Sequence, residues 1–487
     1  MVRFLKSWLL CLFALFIAAT IAPFFAGSSP QNSVLSFISV VMFAALSAAV
    51  FELCARGLDA TRKRTAILII VSTAILTRGG WIVFNRNEQV SDFAIYQELA
   101  AAVANGQGYT LTGPVGAEDL ELYLGSDKTL PYTTAHRAPG VAFIGAALFK
   151  IVGPHAMAFK LLNLALGVAT VGLLMLFLSP WPAAARRAGF LWAIYPPAVM
   201  ATNLFGSEIL FTFLVCLAAV LFQRGREDNV FKYPAIGIVL AAAALTRSFL
   251  WPLLFSGAAA VIYMHGWKKG GAKAALLAAG VALTIMPWAG RNWALFHHFI
   301  PICTNEGEFL GQRTKTFVPN PEEDPGWVQR QSAWRALTNE ADRAAEGYRI
   351  ALDNWRRMAA AGPTHTLHSL WRATVSNFSN DYDMLFWSTR RSYQSMVRAG
   401  NAGTIDDASL LMWRWFTHGF YLALLLGAAA GALLSGRHGF NVVRDPFFLT
   451  CFFVLFATAH LFVMGQSRYH FPLMPFMVML AGFAKKI

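Results

Sequence analysis

The sequence predicts an all-α polytopic membrane protein of about twelve transmembrane helices, with a mainly helical extracytoplasmic domain. Three observations carry this. Hydrophobic residues make up 56% of the 487 residues and charged residues only 14%, against about 25% charge in a soluble globular chain. Apolar runs of bilayer length recur from one end of the chain to the other. Positive residues gather in the short loops beside those runs, where they set topology. The same composition excludes a disordered or collagen-like chain, and five Cys in this length are too few for a disulfide scaffold.

Crossing a bilayer takes about 20 mostly apolar residues. The first candidates are Trp8 to Ala26, Val34 to Cys54, Thr65 to Phe84, Met157 to Leu178, Ala188 to Asn203 and Ser207 to Gln223. Pro234 to Thr246, Phe249 to His265, Ala272 to Trp288, Leu411 to Leu434, Pro446 to Met464 and Phe471 to Ala484 follow. Val141 to Val152 is apolar but too short to span comfortably, and is expected to be re-entrant or interfacial. Arg3 and Lys6 before the first run also fit a cleaved signal peptide, but the run is longer than a usual signal core, so an uncleaved first span is preferred.

Sidedness follows from the loops. Arg56, Arg62, Lys63 and Arg64 join the second and third runs, and Arg186 with Arg187, Arg224 with Lys232, Lys268 with Lys269, and Arg437 with Arg444 mark later ones. With Val141 to Val152 left out of the count, all of these fall on the cytoplasmic side, as do both termini. The net charge of +14 is therefore topological, and no nucleic-acid partner is expected. Four Cys lie in or beside apolar runs and Cys303 stands alone in a polar region, so no disulfide is expected.

Two regions then face outward: Asn85 to about Pro139, and about Gly290 to Ser409. In the second, the spacing of Trp327, Trp334, Leu337, Ala341, Tyr348 and Trp355 predicts amphipathic helices, ended by Gly362-Pro363. Trp371, Phe378, Phe386 and Trp387 suit a surface resting on the membrane interface.

Ionisable residues near membrane depth need a partner, water or a task. Asp92, in Ser91-Asp92-Phe93-Ala94-Ile95-Tyr96, can act as a general base whose basicity desolvation would raise. It can equally be a first-turn acid stabilised by the helix dipole, and spacing alone favours that plainer reading. His136-Arg137 precedes Ala138-Pro139-Gly140; Arg137 offers a donor fork for phosphate oxygens or an interface anchor. Glu208, opening an apolar helix with Ser207, either orients a sugar or compensates the helix dipole. Arg247, Arg291 and Arg468 gather toward the outer face, where three cations imply an anionic ligand; snorkelling to headgroups is the alternative for each. Asp381-Tyr382-Asp383 and Glu118-Asp119-Leu120-Glu121 read as solvated turns rather than metal sites. The eleven His show no zinc spacing, and there is no Walker or Rossmann motif to hold a nucleotide-sugar donor.

Taken in order, these segments resemble the polytopic GT-C glycosyltransferases, specifically the bacterial relatives of protein O-mannosyltransferases and lipid A aminoarabinose transferases. The resemblance rests on Asp92-Phe93-Ala94-Ile95-Tyr96, Gly106-Gln107-Gly108-Tyr109, His136-Arg137-Ala138-Pro139-Gly140, Ser207-Glu208 and Leu245-Thr246-Arg247. Pro287-Trp288-Ala289-Gly290-Arg291-Asn292, Ile300-Pro301, Thr304-Asn305 and Arg468-Tyr469 continue it. It covers roughly Thr65 to the C-terminus. Residues 1–64 look like an extra transmembrane hairpin, and Ala138-Pro139-Gly140 stands where the family often has two Pro before the Gly.

The resemblance implies a membrane core over 65–290 that includes the outer loop 85–139, an extracytoplasmic domain over 291–410, and C-terminal membrane helices over 411–487. It implies a multi-pass protein of a bacterial inner membrane with its active site facing the periplasm. The reaction implied moves a sugar, with inversion, from a polyprenyl phosphate carrier to a hydroxyl of a lipid, polysaccharide or protein, without cofactor or metal. Asp92 would be the base, now the favoured reading, and Arg137, Arg247, Arg291 and Arg468 would stabilise the leaving phosphate. His136, Glu208, Asn305 and Tyr469 would line the substrate site. A transporter or lipid-linked sugar flippase is the competing class, but the chain lacks the internal repeats common in transporters. A catalytically silent scaffold is a third reading.

Overall fold

The computed structural model describes residues 2–26, 34–113, 130–224, 229, 231–389 and 408–484. These are helical nearly throughout. Among them the strands are Thr110–Leu111 and Tyr132–Thr133, paired antiparallel with Thr110 opposite Thr133. Six helices are long and apolar enough to cross a membrane: Val2–Phe25, Leu35–Ala60, Lys63–Phe84, Ala156–Phe177, Leu250–Phe296 and Leu411–His438. Gly140–Val152, Lys232–Thr246 and Phe447–His460 are apolar but shorter. Large side chains such as Leu53, Leu76 and Leu283 point out of the protein, as a hydrocarbon solvent allows, while each helix satisfies its own backbone. The chain is an all-α, multi-pass membrane protein.

The expected apolar runs are helical where the sequence places them, with two departures. Ala188 to Asn203 is not one span but two pieces, Pro182–Ile194 and Pro196–Ala201. Pro196 and Pro197 lack the N–H groups that would bond the carbonyls of Trp192 and Ala193. Arg78, fully buried in the Lys63–Phe84 helix, fills that role, donating to Trp192 O at 2.9 Å and Ala193 O at 3.0 Å. Thr77 adds a second bond to Ala193 O. The two spans expected from Phe249 and from Ala272 are the two helices on either side of the break at Gly266 (φ 72°) within Leu250–Phe296, just before Lys268 and Lys269. The last apolar run opens as a 3₁₀ turn, Ser467–Leu473, and only then becomes the buried α-helix Met474–Ala481.

Residues 1–64 divide their packing. Val2–Ile21 sends Leu9, Leu12, Phe13 and Phe16 into the core, with Phe16 stacked on Phe378 at 3.9 Å. Val34–Ala60 lies along Ala408–Leu434, and its far end is tied by Arg187 to Glu52 and Asp59, each at 3.1 Å.

The polar region after Arg291 folds as Asn305–Thr314, Pro325–Arg335, Glu340–Ala360 and Pro363–Phe378. Asp324 and Asn339 cap the second and third of these helices, and Gly362 (φ 99°) separates the last two. Trp327, Trp334 and Ala341 point inward as the periodicity requires, whereas Tyr348 is 44% exposed. Phe378 is core rather than interfacial, packed between Phe16 and His470. Glu118 to Glu121 lie outside the described residues.

Candidate functional site

Asp92 is aimed by a short loop. The Lys63–Phe84 helix ends, and Gln89 then pairs like a peptide unit with the 203–205 turn, donating to Asn203 O at 3.2 Å and accepting from Phe205 N at 2.7 Å. Asn203 donates in turn to Asn85 O. Ser91 sits at φ 52°, ψ −135°, a conformation costing a non-glycine residue about 1–3 kcal/mol. That turn starts the Asp92–Ala104 helix with its acid in the first turn. Gly106 (φ 78°) and Gly108 (φ 74°) then reverse the chain into the strand pair.

The segment carrying Arg137 is held from both sides. Buried Glu340 accepts from Ala135 N at 2.5 Å, Thr134 Oγ1 at 2.9 Å and Tyr132 OH at 3.2 Å. Thr134 Oγ1 also accepts from His136 N at 2.8 Å, and Arg291 donates to Thr134 O at 2.8 Å. Tyr109 OH donates to Arg137 O at 3.0 Å. Beyond Pro139, the Gly140–Val152 helix starts so close to the Leu245 carbonyl that a Cβ on Gly140 would stand 2.8 Å from that oxygen. Glycine therefore brings Arg137 and Arg247 together.

These elements enclose a cavity of about 270 Å³. Of the residues the sequence singled out, Asp92, Arg137, Glu208, Arg247, Asn305, Arg468 and Tyr469 line it. Asp92 is clamped: Oδ1 lies 2.5 Å from Arg137 and Oδ2 2.7 Å from Arg468. Arg247 faces Glu208 at 3.4 Å and its guanidinium stands 5.6 Å from the Tyr469 ring centre. Three guanidiniums thus meet two paired carboxylates. Phe249, Trp251, Pro252, Phe309 and Leu310 supply an apolar wall, as suits a ligand with both a charged head and a chain. The cavity lies beyond the Phe84 end of the Lys63–Phe84 helix, whose other end carries Lys63 and Arg64.

Two expected site residues do not line the cavity. Arg291 bonds the Thr134 and Tyr109 carbonyls and lies 4.7 Å from the Trp288 ring centre, so it braces the Arg137 segment. His136 is buried behind Arg137, and burial, with the Arg137 charge, holds its imidazole well below the usual histidine range.

The electrostatics also alter the expectation for Asp92. Burial would raise its proton affinity, but the Arg137 and Arg468 charges and the Arg468 hydrogen bond outweigh it and hold the carboxyl well below the usual range. As it stands, Asp92 is ionised and a weak base. The sequence reading weighed desolvation and had no means to see the clamp.

Three carboxylates have surroundings that the sequence does not reveal. Glu306 lines the cavity, accepts from Tyr348 OH at 3.0 Å, and is pushed by burial up to about 7; its place beside Asn305 was the available signal. Glu340 carried none. Asp381 was expected in a solvated turn but is 1% exposed: it accepts from Tyr195 OH and stands 3.2 Å from His470 Nε2. Neighbouring Asp383 accepts from Arg468 N at 3.1 Å. The pair anchors the segment that presents Arg468. Cys303 lines the cavity as a free thiol. Among the described residues no group of three His, Cys, Asp or Glu is placed to hold a metal.

No family model matches the chain. No curated protein matches it either. Among solved structures it is similar to ArnT from Cupriavidus metallidurans bound to undecaprenyl phosphate, with 14% identity over 86% of this chain and 77% of that one and a TM-score of 0.40. That likeness is too distant to carry residue roles.

Proposed function

We propose that the protein is an integral membrane glycosyltransferase of GT-C type that moves a sugar from a polyprenyl phosphate carrier to an acceptor hydroxyl, with inversion. The observation that supports this best is the clamped Asp92 in a cavity lined both by guanidiniums and by apolar and aromatic side chains. A lipid phosphate fits both halves: its charge matches the arginines and its chain the apolar wall. In this reading the cavity faces the periplasm of a bacterial inner membrane, and the polar helical region after Arg291 covers it and selects a lipid, polysaccharide or protein acceptor.

The clamp gives the reaction an order. A phosphodiester entering among Arg137, Arg247 and Arg468 competes with Asp92 for the same donors. As the guanidiniums turn to the phosphate, Asp92 loses the charges that hold down its proton affinity and becomes a usable base. The acceptor hydroxyl gives its proton to Asp92 while its oxygen attacks the anomeric carbon from the face opposite the phosphate. The carbon–oxygen bond to phosphate breaks, its electron pair stays on the phosphate, and the arginines stabilise the charge that develops there. Donor binding thus activates the base, which limits proton transfer to the loaded enzyme. Glu208 fixes Arg247, and Asn305 and Tyr469 contact the sugar.

The test is mass spectrometry of the envelope in a strain lacking the gene, complemented with wild type or Asp92→Asn. The expected result is one carrier-linked sugar accumulating, one glycan losing the matching mass, and restoration by wild type alone. Restoration by Asp92→Asn would refute the assignment and favour a transporter, flippase or scaffold.

A further inference from the structure

A proton taken up by Asp92 has to leave again. Once the lipid phosphate departs, Arg137 and Arg468 close back on the carboxylate at 2.5 and 2.7 Å, and a carboxylate between two guanidiniums does not keep a proton. A second carboxylate in the same cavity is placed to take it. We infer that Glu306 receives this proton and hands it to water past Tyr348, which makes Glu306 the proton outlet of the site; the inference rests on the transferase reading above.

Position is the first argument. Glu306 lies in the first turn of Asn305–Thr314 and lines the same cavity as Asp92, on the wall supplied by the polar helical region. Its Oε2 accepts from Tyr348 OH at 3.0 Å, and Tyr348 is 44% exposed, so the carboxyl sits between the cavity and the outside.

Charge is the second. Asp92 has two guanidiniums and Glu208 has Arg247, whereas no cation is among the groups that set the proton affinity of Glu306. Burial raises that affinity, hydrogen bonds from Tyr348 and Ser248 partly offset it, and the carboxyl is left at about 7. A proton moving from reclamped Asp92 to Glu306 runs downhill, and from there it exchanges with water near neutral pH. The groups facing Glu306 fit no better. The Cys303 thiol is pushed up to about 12 by burial, and the Tyr348 hydroxyl is raised far above its ordinary value. Glu308, at about 8, is fully buried and lies off the cavity.

The proton balance is simple. The hydroxyl proton passes to Asp92 as the new glycosidic bond forms, then to Glu306 when phosphate leaves, then to water, and both carboxylates are ionised again for the next turnover. Turnover should therefore need Glu306 ionised when its proton arrives.

The experiment uses the full-length protein in nanodiscs with synthetic polyprenyl phosphate hexoses and pentoses, a membrane extract as acceptor source, and release of polyprenyl phosphate as readout between pH 5 and 9. In wild type, kcat should rise with pH through a limb near 7. Glu306→Gln should remove that limb and lower kcat about 10²-fold, the low end for a proton-transfer group, with KM little changed. Tyr348→Phe, which takes away a bond that stabilises the carboxylate, should move the limb to higher pH. A limb that is absent in wild type, survives in Glu306→Gln, or stays put in Tyr348→Phe overturns the outlet while the transferase reading stands. Wild-type protein that releases polyprenyl phosphate from no donor overturns both.

Discussion

Glu340 offers the sharpest test of how the polar helices position the site. Its carboxylate joins the Glu340–Ala360 helix to the segment carrying Arg137 through bonds from Ala135 N, Thr134 Oγ1 and Tyr132 OH. Ala135 and Thr134 are fully buried, so Glu340→Ala leaves a backbone N–H and a hydroxyl without their acceptor. Each orphaned buried group costs about 1–3 kcal/mol, which puts Glu340→Ala at about 2–6 kcal/mol. Glu340→Gln is different. Burial leaves the Glu340 carboxyl above its usual range despite these bonds, so the charge itself adds no stability. An amide oxygen can still accept from Ala135 N, and the hydroxyls can rotate to accept from the amide. Glu340→Gln should then cost less than about 1 kcal/mol. Because folded Glu340 has a raised affinity for protons, any stability linked to it is full below the unfolded carboxylate range and declines as pH rises through the folded value. Reversible unfolding in mixed micelles, run beside the transfer assay, measures both effects. Equal losses in Gln and Ala would show that the charge matters and refute this account. An unaffected Glu340→Ala would refute the positioning role altogether.

Other outcomes follow from the same geometry. Asp92→Asn should abolish transfer and yet bind undecaprenyl phosphate about tenfold more tightly, because the carboxylate no longer competes for Arg137 and Arg468; calorimetric titration reads this. The same change should cost about 3–5 kcal/mol of folding stability by removing the carboxylate that neutralises two nearly buried guanidiniums. Since the folded carboxyl lies below its unfolded value near 4, the Asp92 contribution should persist through mild acid and fade only as pH falls below about 4. Arg78→Met should cost about 1–3 kcal/mol by orphaning the Trp192 carbonyl, while Ala193 O keeps its bond from Thr77, offset partly by the removal of a buried cation; thermal unfolding in detergent checks it. Gly140→Ala should push the Gly140 helix off the Leu245 carbonyl at a cost of about 1–3 kcal/mol, and lower transfer further than stability, since Arg137 and Arg247 flank that contact.

The membrane class, the helical runs and the partition of the chain into apolar and polar stretches are determined by the sequence itself. Each depends on local hydrophobicity and on charges beside it, which a window of about 20 residues contains. The interest of Asp92, Arg137, Glu208, Arg247 and Arg468 was legible for the same reason, because a charge next to an apolar run is conspicuous. Their relations were not. Asp92 and Arg468 are 376 positions apart, and only the folded chain converts a basic carboxylate into a clamped one. Arg291 and Arg137 look alike in sequence, yet one braces a loop and the other faces the cavity, because a guanidinium goes to whichever acceptors packing leaves open. Arg78 shows the limit most plainly. As a cation in an apolar run it invites a functional reading, and its task is to satisfy two carbonyls freed by prolines more than a hundred residues away. Asp381 errs in the opposite direction, a carboxylate that looks solvated and is buried against Tyr195 and His470. Hydrophobic pattern is local, so a sequence carries it openly. Hydrogen-bond satisfaction and charge pairing are settled between distant segments, so tertiary packing alone decides which polar residues serve the fold and which remain for a ligand.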